Sequence, residues 1–467
     1  MKNIRNSLYY IIMVTVSIVI MYYIVQNGEL LQSDDIVSST HKSLEISWID
    51  LFKESLYHNF NHPLSVLLLQ IIMILAGARI FGWLFRKVGQ PAVIGEVVAG
   101  IILGPSVVGA WLPGFFEFLF PVSSLHNLQF LSHIGLLLFM FVIGMELDLK
   151  MVRTKARDAI VISHVSIVVQ YALGMGLAYF LYKEFAPPGI EFLSFSLFIG
   201  IALSITAFPV LARIIREKGM SRTKVGTIAI TCAANDDMMA WCILAAVISI
   251  VKSGSSANLY FTIALVICYL AIMIFAVKPF LEKYNRRRIE NDSLSLDEVA
   301  LKFAILLLSA YTTEIIGIHA LFGAFFAGVI MPSSPGFREK LTDKVEYVSL
   351  ALLLPLFFAF SGLRTQIGLL NDVHLWKVCV VIIFVAVAGK FGVGMISAKV
   401  TGQSWRDSFI LGALLNTRGL MELIVLNIGY DLGVLNPQIF SMMVLMALVT
   451  TFMTGPILQL MKNYIRK

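Results

Sequence analysis

The chain has 467 residues, 58% hydrophobic and only 14% charged, with a mean hydropathy of +0.84, and a soluble fold has nowhere to bury so much apolar surface. Its net charge of +7 sits largely in short loops between long apolar runs, so it reads as membrane topology rather than as a nucleic-acid-binding face. The four cysteines, Cys232, Cys242, Cys268 and Cys379, lie inside those runs without the paired spacing of a zinc or redox site, and read as core filler.

The first run, Tyr9 to Val25 behind the basic start MKNIRNSL, can be a signal peptide or a retained helix. No small-x-small cleavage site follows, which favours an anchor. A polar stretch from about Gln26 to His62 is expected outside the membrane, so 1–62 reads as an N-terminal anchor plus extracytoplasmic segment and 63–467 as one membrane domain. Thirteen further runs cover 63–86, 90–110, 127–147, 156–182, 192–216, 223–251, 257–280, 297–317, 318–332, 343–363, 373–398, 405–430 and 436–461. Most approach the roughly 20 residues a helix needs to cross a ~30 Å hydrocarbon layer. The fold class expected is an all-α polytopic membrane protein.

With fourteen helices both termini share one side. The loops on that side, including RKVGQ, KMVRTKARD, REKGMSRTK, EKYNRRR and FREKLTDK, take 27 of the 36 Lys and Arg residues; the other side takes six, and Arg79, Lys390 and Arg418 stay inside runs. Both termini are therefore expected in the cytoplasm. Six residues follow the last run, which leaves no room for a nucleotide-binding or enzymatic domain. No nucleophile, resident-metal or phosphate motif stands out either, so neither an enzyme nor a cofactor is expected.

Charged groups at mid-membrane cost at least about 2.5–3.5 kcal/mol each on insertion scales, so each one invites a functional reading. The sharpest case is Asp236-Asp237 in TIAITCAANDDMMAWCILAAV, an adjacent carboxylate pair that can hold either protons or a cation. Lys390, in FVAVAGKFGVGMIS, is the natural counter-ion. Two runs carry polar or helix-breaking residues at mid-depth: Ser204, Thr206 and Pro209 in the sixth, and Asn416, Thr417, Arg418 and Gly419 in the thirteenth. Broken backbone is tolerated in a bilayer only where protein or a cavity surrounds it. These two runs point in opposite directions, which is the pattern of an inverted-repeat transporter with its site where half-helix ends meet.

Glu96, Glu314 and Glu422 can line an ion path or partner Arg79 and Arg418. His319 reads as a core or interface histidine, and glycines such as Gly323 and Gly328 as close-packing positions.

The strings QPAVIGEVVAGIILGPS, SITAFPVLARII, AANDDMMAW, GIHALFGAFFAGVIMP, LFFAFSGLRTQIGLL and NTRGLMELIVLNIG together resemble the cation:proton antiporter-2 family, the Kef-type and plant CHX-like exchangers. The resemblance spans about 63–460. It implies an inverted-repeat antiporter fold with two crossing discontinuous helices and about thirteen core helices, Tyr9 to Val25 being an extra one. It also implies a homodimer in a bacterial plasma membrane, with a role in pH homeostasis. Carried over by position, the ion-binding acidic pair falls on Asp236 and Asp237, the first break's threonine on Thr206, the second break on Thr417 to Gly419 and the intramembrane lysine on Lys390. Asn235 leaves an Asn235-Asp236 register open, although MMAW after Asp237 fits the family's spacing to a tryptophan. The regulatory domain of many Kef-type members has no counterpart here.

The function expected is exchange of a monovalent cation, Na+ or K+, for protons by alternating access. A channel-like cation pathway and a sodium-coupled organic solute carrier remain as alternatives.

Overall fold

A computed structural model describes residues 2–29, 48–60, 62–146, 157–220, 223–253, 256–286, 296–332, 345 and 347–461, which contain helices and turns and no strand. The chain divides into Met1–Val66 and Leu67–Lys467. The first unit holds α1 (Lys2–Glu29) and α2 (Trp48–Phe60). In α1, Tyr10–Asn27 is long and apolar enough to cross a membrane. Helix α2 lies within the stretch expected to be merely polar. Trp48, Phe52, Leu56 and Phe60 recur there at helical spacing, and Asp50 in the first turn suits the positive end of the helix dipole.

Helix α3 (Pro63–Lys87) runs across the division. It is followed by α4 (Ala92–Leu103), the short α5 (Val108–Trp111) and α6 (Pro113–Leu119), α7 (Val122–Glu146), α8 (Arg157–Phe185), α9 (Phe192–Ser204), α10 (Phe208–Glu217) and α11 (Lys224–Ser253). Next come α12 (Ser256–Ile272), α13 (Lys278–Arg286), α14 (Leu296–Ile316), α15 (Ala320–Val329), α16 (Leu354–Arg364), α17 (Val373–Val387), α18 (Val393–Val400), α19 (Trp405–Leu415), α20 (Leu420–Asp431) and α21 (Pro437–Leu460). Among the described residues eleven helices are long and apolar enough to span, or twelve with the bent pair α19 and α20. Each of the fourteen expected runs is helical, but the sixth and thirteenth are broken in two and α15 is only 10 residues long. Of the basic loops that carry the expected orientation, FREKLTDK and most of KMVRTKARD fall outside the described residues, as do 221–222 and 287–288.

In the larger unit two bundles pack internally: α4, α7, α14, α15 and α16 form one, and α8 to α11 with α17 to α21 the other. Small residues set the spacing inside the first. A Cβ on Gly362 would lie 2.7 Å from the Ile101 nitrogen and 2.8 Å from the Gly100 Cα, and one on Gly328 would lie 2.9 Å from the Gly144 Cα. A Cβ on Gly323 would strike the Ser309 carbonyl, so both glycines expected to permit close packing do so. Cys232 and Cys379 are buried, whereas Cys242 and Cys268 are exposed on helix surfaces. An apolar run has lipid-facing as well as core positions, so two of the four cysteines expected in the core face outward.

Replacing Gly362 by Leu is expected to lower the thermal unfolding midpoint in detergent, because overpacking a tight contact costs about 1–3 kcal/mol. Gly176→Ala, where an added Cβ meets nothing within 4 Å, is the control and should leave the midpoint unchanged or slightly higher.

Candidate ion-binding site

Helix α9 stops at Ser204, Ile205 is extended, and α10 resumes at Phe208 just ahead of Pro209, a residue tolerated in a first turn but not in a helix interior. In the second repeat, α19 stops at Leu415 and α20 resumes at Leu420. The two breaks cross and satisfy each other. The Ala207 N–H donates to the Thr417 carbonyl at 3.0 Å, and the Thr206 hydroxyl donates to the Leu415 carbonyl at 2.9 Å.

The orphaned carbonyls that end α9 are taken by two buried cations. Arg418 donates to the Ala202 and Leu203 oxygens at 3.0 and 2.6 Å, and Lys390 donates to the Ser204 oxygen at 2.6 Å. Both side chains are fully buried. Cations at a helix C-terminus meet the negative end of its dipole, and a charged donor strengthens each bond. The carbonyls that end α19 instead receive hydroxyls: Thr206 on Leu415 and Thr454 on Ala413, the latter at 3.2 Å. Thr417 pairs with the Thr454 hydroxyl at 3.3 Å, and Thr451 bridges the Arg418 N–H and carbonyl at 3.0 and 2.7 Å. Asn416 is buried and its amide oxygen has no hydrogen-bond partner among the described residues.

The two carboxylates have unlike surroundings. Asp236 is saturated: Oδ2 accepts from Lys390 Nζ at 2.9 Å and Oδ1 from the Ser163 hydroxyl of α8. Asn235 supports that arrangement by donating to Ser163 Oγ at 2.7 Å, and lies 3.3 Å from His164 Nδ1. Asp237 accepts from the Phe208 backbone N–H at the start of α10, while its Oδ1 is buried without a hydrogen-bond partner among the described residues. One carboxylate has both oxygens held by the protein, and the other keeps one oxygen without a hydrogen-bond partner among the described residues.

Lys390 reaches the pair from a π-turn, Ala388–Gly392, between α17 and α18. Such a turn inserts one residue into the helical ladder and re-aims the side chain. Every site residue named from the sequence (Ser204, Thr206, Asn235, Asp236, Asp237, Lys390, Asn416, Thr417 and Arg418) is buried at or beside this crossing. Of the other polar residues considered, Glu422 lies 3.5 Å from Arg418, Glu314 pairs with Lys252 at 3.6 Å, and Arg79 donates to the Ala351 carbonyl at 2.8 Å. His319 is the N-cap of α15, with φ 83°. Ser163, His164, Thr451 and Thr454 join the site without any signal in the sequence. A lone hydroxyl in an apolar helix usually bonds its own backbone, so only the tertiary partner distinguishes these.

A family model for transmembrane sodium/hydrogen exchangers matches residues 71–462. The chain is 41% identical over 397 residues to the Na(+)/H(+) antiporter NhaS4 of Synechocystis, an alignment covering 85% of this chain and 97% of that protein. It is 41% identical over 398 residues to cation/H(+) antiporter 17 of Arabidopsis thaliana, with 85% and 48% covered. It is 34% identical over 414 residues to K(+)/H(+) antiporter 1 of Saccharomyces cerevisiae, with 86% and 47% covered. The chain thus spans about half the length of the plant and yeast proteins. Among solved structures, the sodium proton antiporter MjNhaP1 of Methanocaldococcus jannaschii shares the fold, with a TM-score of 0.58 at 13% identity over 84% of this chain and 95% of that one.

Lys390→Met is expected to destabilise the protein by about 3–5 kcal/mol, because it strands the Asp236 charge in a dry interior. Combining it with Asp236→Asn should recover a large part of that loss. A double-mutant cycle on thermal unfolding in detergent measures the recovery.

Proposed function

We propose that this chain, which belongs to the sodium/hydrogen exchanger family, exchanges a monovalent cation for protons at the Asp236-Asp237 pair. The observation that carries this reading is Asp237: a buried carboxylate with one oxygen unpartnered, placed at the crossing of two broken helices. It binds a cation or a proton, not both, and the carrier changes face only with one of them bound. The Phe208 N–H at the start of α10 donates to this carboxylate and orients it. The channel-like and solute-carrier readings have no comparable feature in their support.

The other site residues hold the geometry. Asp236 and Lys390 form a fixed pair, Asn235 and Ser163 secure it, and Thr206, Thr417, Ser204 and Arg418 close the breaks. A cation arriving at Asp237 also attracts the Asp236 carboxylate and so competes with Lys390, releasing a second proton. On this reading the exchange is electrogenic. The carrier works as a homodimer in a plasma membrane with both termini cytoplasmic, and Na+ and K+ are both admissible cargo.

Asp237→Asn is expected to abolish proton-coupled cation movement in proteoliposomes at normal expression, with Asp236→Asn milder. Retained exchange in Asp237→Asn would sink the assignment. Comparing sodium, potassium and lithium in the same vesicles identifies the cargo.

A second expectation concerns the breaks. Thr206→Val removes a hydroxyl from a buried carbonyl, a penalty of about 1–3 kcal/mol, and should raise the apparent KM for the cation several-fold more than it lowers expression. Thr417→Val should act in the same direction. Wild-type KM in both would show that the crossing does not set affinity.

A further inference from the structure

Asp237 lies midway along α11, and its helix face has a different character on each side. Toward Lys252 the positions four, seven and eleven residues on are Trp241, Leu244 and Ile248, all at most 2% exposed. Toward Lys224 the positions four, seven and eleven residues back are Ala233, Ile230 and Gly226, of which only Ile230 is large. The bulky side is filled by the other bundle: Trp241 stacks on Phe325 of α15, with ring centroids 5.9 Å apart and planes at 21°. That pair belongs to one continuous apolar cluster with Leu244, Ile248 and Phe322.

Beyond it two ion pairs join the bundles. Arg364 of α16 meets Asp431 of α20 at 2.8 Å, and Glu314 of α14 meets Lys252 of α11 at 3.6 Å. His133 of α7 lies within electrostatic reach of Asp431, Arg364 and Glu314, so both pairs sit at one end of the seam.

A small cavity of about 10 Å³, room for roughly one water, lies between Val93 and Val97 of α4 and Val210, Arg418, Leu423 and Thr451. Helix α10, which supplies Val210, returns through Met220 to the Lys224 end of α11, where the Met220 carbonyl packs on Gly226. The seam is filled by stacked rings on the Lys252 side of Asp237.

We propose that Trp241, stacked on Phe325, is the seal that blocks passage between Asp237 and the Lys252 end of the seam, and so prevents ions from slipping past the carrier site without exchange. This rests on the reading of Asp237 as the carrier site. A flat aromatic pair makes a good seal, since stacking adds about 0.5–1.5 kcal/mol beyond area burial, and two rings fill the seam without an acceptor oxygen to coordinate a cation. The Trp241 indole nitrogen is buried with no partner among the described residues, so the ring is held by shape and stacking alone. Arg364–Asp431 and Lys252–Glu314 keep the bundles together beyond the rings.

The test is passive flux of labelled sodium and rubidium from proteoliposomes with no pH gradient. Trp241→Ala is expected to raise this uncoupled efflux at least about tenfold, the factor that roughly 1.4 kcal/mol off a barrier gives, and Trp241→Phe should restore tightness. Phe325→Ala alters the other bundle and should leak equally, which keeps the test valid if Trp241→Ala does not reconstitute. The leak should persist when Asp237→Asn is added, which separates the seal from the carrier site: exchange surviving in Asp237→Asn alone overturns the carrier reading, not the leak result. Efflux from Trp241→Ala and Phe325→Ala as slow as wild type would overturn the seal.

Discussion

Backbone that leaves a helix inside a bilayer has no water to turn to, so every freed N–H and C=O needs a partner from the protein itself. That constraint organises the larger unit. Two helices stop at mid-depth, and each break supplies what the other lacks: the Thr417 carbonyl takes the Ala207 N–H, and the Leu415 carbonyl takes the Thr206 hydroxyl.

The satisfaction is unequal, and the inequality gives the site its chemistry. Helix α9 ends on three carbonyls held by Arg418 and Lys390, whereas the carbonyls ending α19 meet hydroxyls. The two cations would be ruinous in a dry interior without counter-charges. Glu422 stands beside Arg418 and Asp236 pairs with Lys390. The adjacent carboxylates therefore have unlike surroundings: Asp236 is bonded to Lys390 and Ser163, and Asp237 keeps an Oδ1 with no hydrogen-bond partner among the described residues.

Around this centre the packing is graded. Glycine contacts bring α4 against α16 and α7 against α15 so closely that an added Cβ would meet backbone, which makes that bundle stiff. Between the bundles the contacts are fewer and of another kind, namely stacked rings, ion pairs and a cavity. The tight contacts thus lie within a bundle, and the looser ones between the two.

Much of this was determined by the sequence alone. Apolar runs of membrane-spanning length dictate an all-helical fold, because helices satisfy their own backbone in lipid. A charge or break within such a run is too costly to be incidental, so Asp236, Asp237, Lys390, Arg418 and the two breaks were legible as a site. Helix α2 was not, because a single amphipathic turn pattern among polar residues gives a weak signal. What only the tertiary structure decided is which groups meet. Lys390 could have faced either carboxylate, and it faces Asp236 because a π-turn at Ala388–Gly392 re-aims it. Ser163 and Thr454 matter only because α8 and α21 bring them there, and the stacking of Trp241 on Phe325 joins residues 84 positions apart. One-dimensional patterns report the cost of burying a group, whereas the identity of the partner that offsets that cost depends on how helices cross.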